Sequence, residues 1–311
     1  SRDQGAVAAD LVGVRTGDRG PRERDSSIRR GRRELARRAA EGRRDHGEVR
    51  DADQDGGNRG ASREVGGEAG GAGGLGAAMA RRLASQGARL ALIDFNSDML
   101  DQLSAELKLP GDDILSVPCD VSDESQVDEA FTAIAGHFGG LDLLVNNAGI
   151  TRDGLMLKFK DGQLQSRMSL AAWNSVINVN LTGVFLCTRA AVEHMIKAGN
   201  AGLVINISSI SRGGNMGQSN YSAAKAGVAA MTVTWAKEFA RYGIRVNTIS
   251  PGFIGTEMVR SMKPEALAKL QAMIPAGRIG EPDEIAHTVQ YLMENDFVNG
   301  RNFEVDGGMR L

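Results

Sequence analysis

Tyr221 and Lys225 stand four residues apart in "YSAAKAG", so on a helix their side chains share one face. A phenol with its ordinary pKa near 10 is a poor acid–base catalyst at neutral pH. An ammonium one turn away favours phenolate and is expected to bring the hydroxyl toward the working range. Twelve residues upstream, at the end of an apolar run, Ser209 offers a hydroxyl for a substrate carbonyl oxygen and the alkoxide that develops from it. Ser208 competes for that role; Ser209 is preferred as the second serine after the run. Asn180 falls in the middle of a long helical stretch (170–199), where asparagine is a weak helix former, which points to a buried polar network. The chemistry these groups can do is proton transfer on a ketone/secondary-alcohol pair.

A second set could hold the partner for such a reaction. In "EVGGEAGGAGGLGAAMARRLA" (64–84), Gly70, Gly74 and Gly76 allow a tight turn and a close approach to a pyrophosphate, and the N-terminus of the following helix supplies donors and partial positive charge. Asp94 lies eighteen residues past Gly76 at the end of the next strand, where a carboxylate accepts hydrogen bonds from an adenosine ribose and repels a 2′-phosphate. NAD(H) is therefore favoured over NADP(H). Asp120 ends the following strand and is placed for an adenine contact; a turn or cap role is the alternative for both aspartates. "NNAG" (146–149) closes a further strand with a small-residue turn that leaves room for a cofactor. His46, His137, His194 and His287 are isolated, so no metal site is expected.

Short apolar runs alternate with helical stretches through the rest of the chain. Strands are expected at "ARLALID", "DILSVPCDV", "LDLLVNNAG", "GLVINISSI", "IRVNTISPG" and "RNFEVDGG". Helices are expected between them, with Ser97 capping "SDMLDQLSAEL" and Pro282 opening "PDEIAHTVQYLM". Such alternation predicts an α/β, Rossmann-type, doubly wound parallel sheet with helices on both faces and its active edge at the strands' carboxyl ends.

Within the 311 residues, Lys+Arg 37 against Asp+Glu 39 gives a net charge of -2, which argues against nucleic acid or membrane partners. Two distant cysteines, Cys119 and Cys187, and the want of a long apolar span or leader lead us to expect a cytoplasmic protein. Residues 1–66 differ sharply from 67–311. The first 65 residues carry 16 Arg, 13 acidic residues, no Lys and no Phe, Tyr, Trp, Met or Cys. We expect a mostly disordered extension, with a short helix through "GRRELARRAAEGRR", or a segment translated out of frame from GC-rich DNA. An RNA- or DNA-binding arm is disfavoured, because the acidic residues are interspersed and no aromatic is available to stack on bases.

From about residue 69 the chain resembles the short-chain dehydrogenases/reductases, and within them the bacterial 3-oxoacyl-[acyl-carrier-protein] reductases. The resemblance rests on "GGAGGLG", "NNAG", "NVNLTGVF", "NISS", "YSAAK", "SPGFIGTEM" and "VDGG", in that order. It implies a catalytic tetrad of Asn180, Ser209, Tyr221 and Lys225, with Lys225 also holding the nicotinamide ribose and Asn180 a relay water. It implies cofactor contacts from Gly70, Gly74, Leu75, Gly76, Asp94, Asp120, Val121, Asn147, Ala148, Gly149, Tyr221, Lys225, Pro251, Gly252, Ile254 and Thr256. A small-molecule or acyl-thioester substrate and a homotetramer follow from the same likeness. Three features depart from the family pattern. "REVGGEA" stands where its first strand should end, with Ala69 in the place of a Thr, so the strand is expected to be lost and its slot in the sheet unfilled. Asp94 stands in a group that usually prefers NADPH. "KFKDGQLQSRM" lengthens the connection after "NNAGITRDGL" and is expected near the mouth of the site.

Overall fold

The computed structural model describes residues 10–14 and 74–310. The remainder of the N-terminal segment, including the helix expected through "GRRELARRAAEGRR" and Gly70 itself, lies outside the described residues.

Seven strands form the main sheet: β1 (Asp10–Val14), β2 (Arg89–Asp94), β3 (Ile114–Pro118), β4 (Leu143–Asn146), β7 (Gly202–Ile207), β8 (Ile244–Pro251) and β9 (Asn302–Val305), in the order β3-β2-β1-β4-β7-β8-β9. Side chains alternate across it with period two. Leu90, Leu92, Leu143, Val145, Leu203 and Ile205 join one core, and Ala91, Ile93, Leu144 and Val204 join the other. The first face is covered by α1 (Gly74–Ser85), α2 (Ser97–Leu107) and, near the C-terminus, Pro282–Glu294. The second is covered by α3 (Glu124–Phe138), Val184–Ala198 and Ser219–Glu238. A doubly wound α/β sheet results, with every neighbouring pair that excludes β1 running parallel.

The central slot departs from expectation twice. It is filled, and the strand in it comes from the segment expected to lack order: the backbone of β1 pairs with β2 on one side (Leu11↔Leu92, Val12↔Ala91) and β4 on the other (Leu11↔Val145, Val12↔Leu144). Both pairings are antiparallel. The physical reason is that β2 and β4 would otherwise present two rows of unpaired backbone groups in the middle of the sheet, a cost that nearly any extended segment relieves. Because β1 runs backwards, Asp10 lies toward the carboxyl end of β2 and Val14 at its amino end.

Further corrections are local. The cap of α2 is Asn96, whose side chain accepts from the Met99 N–H at 3.2 Å, rather than Ser97. The connection "KFKDGQLQSRM" forms a two-stranded hairpin, β5 (Leu157–Lys160) with β6 (Gln163–Arg167). The expected long helix is α4 (Leu170–Ile177), a π-helical segment (Asn178–Gly183) and α5 (Val184–Ala198). Next come α6 (Ser219–Glu238), the unforeseen α7 (Pro264–Met273) and α8 (Pro282–Glu294). The run Leu170–Ala198 is apolar and long enough to cross a membrane, but its segments pack beside α3, α6 and the sheet.

Candidate active site

Four elements converge at the carboxyl edge of β4 and β7. The π-helical segment widens the helix at Asn180, whose side chain is fully buried. Its Oδ1 accepts from the Ile150 N–H at 2.8 Å and its Nδ2 donates to the Ile150 carbonyl at 3.0 Å, clamping the turn that follows "NNAG". Gly149 completes the fit: a Cβ there would lie 3.4 Å from Asn180 Nδ2 and 3.6 Å from Lys225 Nζ. Both distances are ordinary contacts, so the turn at Gly149 brings the Asn180 amide and the Lys225 ammonium to one place.

On α6, Lys225 is buried and its Nζ donates to the Ile207 carbonyl at 2.8 Å, 5.6 Å from the centre of the Tyr221 ring. The two serines divide their work. Ser208 is buried and its Oγ donates to the Lys225 carbonyl at 2.8 Å, which ties α6 to the end of β7. Ser209 follows that strand; its Oγ accepts from the Ser211 N–H at 3.1 Å, and its hydroxyl lies near enough to that of Tyr221 to favour the phenolate. The expectation that the amine lowers the tyrosine pKa does not hold in this structure. Burial pushes the phenol up to about 12, opposed by the Ser209 hydroxyl and reinforced by the Asp153 carboxylate. Lys225 lies toward the ring and spends a proton on a backbone carbonyl, so desolvation wins.

A titration checks this directly. In the free protein, the tyrosinate absorbance that Tyr221→Phe removes is expected to rise around pH 12 rather than 10. The sign for stability follows: the folded pKa is raised, so the contribution of this group is complete below pH 10 and is lost as pH climbs toward 12. A titration of the missing absorbance at pH 10 or below would contradict the burial described here.

Sequence reasoning missed the groups that set the positions of these residues. Asn220 is fully buried; its Oδ1 accepts from the Tyr221 N–H at 2.8 Å, and its Nδ2 donates to the carbonyls of Arg152 (3.1 Å) and Ala172 (3.3 Å). Behind the site a buried chain runs from Asn146 to Asn206 (2.7 Å) and Thr188 (2.8 Å), from Asn206 to Thr232 (2.8 Å), and from Thr232 to Thr248 (2.6 Å). With the bonds of Lys225 and Ser208, it fixes α6 on β7 at three points and so sets the distance between the Tyr221 and Ser209 hydroxyls. Isolated Asn and Thr positions carry no spacing that would have marked them.

The cofactor residues fall into groups. Gly74 opens α1 with φ +55, and a Cβ on it would lie 3.0 Å from Thr256 Cγ2, so the end of the glycine loop and Thr256 meet. The first turn of α1 has no acidic side chain. Gly76 is buried and Leu75 packs on the α1 face of the core. Asp94, buried at the end of β2, accepts from the Asn96 N–H at 2.9 Å. Asp120 accepts from both the N–H (2.9 Å) and hydroxyl (2.6 Å) of Ser122, the turn role weighed as its alternative. Val121 packs on Gly183 of the π segment, and Asn147 and Ala148 are buried beside Gly149. Pro251 ends β8; Gly252 lies against Asp306, and the Ile254 side chain is buried in the core. A nicotinamide dinucleotide fits this set: a glycine-opened helix N-terminus with no acidic side chain in its first turn, a buried carboxylate at a strand end, and a glycine at the floor beside Asn180 and Lys225.

This fold and site define a short-chain dehydrogenase/reductase, and the comparisons agree. The family profile described as enoyl-(acyl carrier protein) reductase matches residues 70–310, and the chain belongs to the short-chain dehydrogenase/reductase family of oxidoreductases. It is 41% identical over 240 residues to the 3-oxoacyl-[acyl-carrier-protein] reductase of Thermotoga maritima, covering 76% of this chain and 93% of that one. The Synechocystis protein of the same name is 40% identical over 242 residues (76% and 92%), and the Homo sapiens one 39% over 239 residues (76% and 94%).

Proposed function

We propose that this chain reduces 3-oxoacyl thioesters to 3-hydroxyacyl thioesters with NADH as the preferred reductant. The observation that carries the reading is the Ser209 hydroxyl beside that of Tyr221, with Lys225 Nζ 5.6 Å from the centre of the Tyr221 ring. When bound, a nicotinamide dinucleotide supplies the hydride. Tyr221, protonated at neutral pH, gives its proton to the substrate oxygen, while Ser209 hydrogen-bonds that oxygen and steadies the charge that develops on it. Lys225 holds the cofactor ribose and contributes positive charge at the end of the proton path; Asn180 holds the turn at Ile150 in place beside it. A pair of hydroxyls that can grip an oxygen suits a carbonyl better than the carbon–carbon double bond in the family description, and the printed names of the relatives point the same way. Asp94 supports NADH over NADPH, and the two distant, buried free cysteines fit a reduced cytoplasmic setting. A homotetramer rests on the family likeness.

Purified protein with acetoacetyl-CoA is expected to oxidise NADH faster than NADPH. Turnover with neither overturns the reductase reading, and faster use of NADPH overturns the role given to Asp94. One observation favours a second reading, a cofactor-free binding homologue: the strand in the central slot, β1, runs antiparallel to both of its neighbours. A thermal-shift titration separates the two, since stabilisation by NADH is expected only of the reductase.

A further inference from the structure

The hairpin of β5 and β6 is exposed at every residue. Its register places Leu157, Phe159, Leu164 and Arg167 on one face and Lys158, Lys160, Gln163 and Ser166 on the other. Phe159 is 61% exposed, in a two-stranded element that has little stability of its own in water. The root of the hairpin lies at the catalytic hydroxyls. The Gly154 N–H donates to the Gly217 carbonyl at 2.8 Å, Gln218 donates to Asp153 at 2.9 Å, and the Arg152 carbonyl accepts from Asn220, the neighbour of Tyr221. The loop it touches joins Ser209 to Tyr221 and carries Met216, 89% exposed, next to Gly217; Leu155 and Met156, also exposed, follow Gly154 and lead directly into the hairpin. Apolar side chains therefore border the mouth of a polar site and continue along one face of an inserted element.

We propose that this face is a specificity element that takes the hydrocarbon tail of a long 3-oxoacyl substrate while the polar site holds its oxo group. The assignment rests on the reductase reading for the position of the oxo group. A tail suits the feature because exposed apolar side chains begin at Leu155 and Met156 and continue through Leu157, Phe159 and Leu164, with Arg167 opposite Leu157 the one charged group the register puts on that face.

The test compares kcat/KM for 3-oxodecanoyl-CoA and acetoacetyl-CoA in the parent and in the triple variant Leu157→Ser, Phe159→Ser, Leu164→Ser. All three side chains are exposed, so folding is spared, and the ratio cancels any loss common to both substrates. The parent is expected to favour the longer chain about tenfold or more, and the variant to bring the ratio to within about twofold of one. An equal ratio in parent and variant overturns the proposal. So does an unchanged ratio in a variant that sediments as a smaller species, which would assign the face to a second copy of the chain. Calorimetric binding of the same two thioesters needs no turnover. An inactive parent that still binds the longer chain more tightly, with the difference lost in the variant, upholds the specificity element while ending the reductase reading; equal binding overturns both.

Discussion

Tyr221→Phe is expected to lower kcat for acetoacetyl-CoA reduction by about 1,000-fold, the scale of a positioned general acid. KM for either substrate should stay within about threefold, since the ring and its packing are kept. The contrast is instructive because the loss is confined to the contact between the Tyr221 and Ser209 hydroxyls. Ser209 keeps its bond from Ser211, and Lys225 keeps its bond to Ile207. Substituting Lys225 would be harder to interpret, for its Nζ also helps hold α6 against β7. Steady-state kinetics on Tyr221→Phe with a thermal midpoint near that of the parent settles the role, and undiminished turnover removes Tyr221 from the chemistry.

Val12→Pro is expected to be the most damaging single change for stability. Val12 pairs with Ala91 on one side and Leu144 on the other, so proline removes a ladder donor and introduces a ring in the middle of a sheet, where it is excluded from interior strands. A loss of about 3 kcal/mol or more is a large share of a total of about 5–15. For a domain of this size the thermal midpoint should fall by about 6–12 °C. Scanning calorimetry checks it. A shift under about 2 °C would mean that Asp10–Val14 does not hold the slot.

The inner parallel strands were legible because they carry apolar runs that are buried on both faces, as in "RLALID" and "GLVINI". β1 was not, since "DLVGV" sits among arginines and acids and is a strand only because two open edges recruit it. The hairpin had a readable sign: Asp161-Gly162 between alternating residues is a two-residue turn signal, and both adopt positive φ (51 and 73). Of the site, the hydroxyls, amine and amide stood out by type and spacing. Which serine meets Tyr221, and which way the phenol titrates, depends on burial and on the direction of an Nζ–H bond. Those are properties of packing that no local pattern encodes.

The π segment at Asn178–Gly183 inserts one residue between two helices, and one residue is about 100° of rotation. α4 and α5 are thus out of phase. α4 turns Val176 toward Ala224 of α6, while α5 turns Leu186, Cys187 and Ala190 into the core shared with α3. Asn180 sits at the seam, carried inward by neither helix's own repeat. Any deletion that restored an unbroken spiral would force one half to present its solvent stripe to the interior, so the extra residue is the joint that lets a single rod serve two neighbours at different bearings.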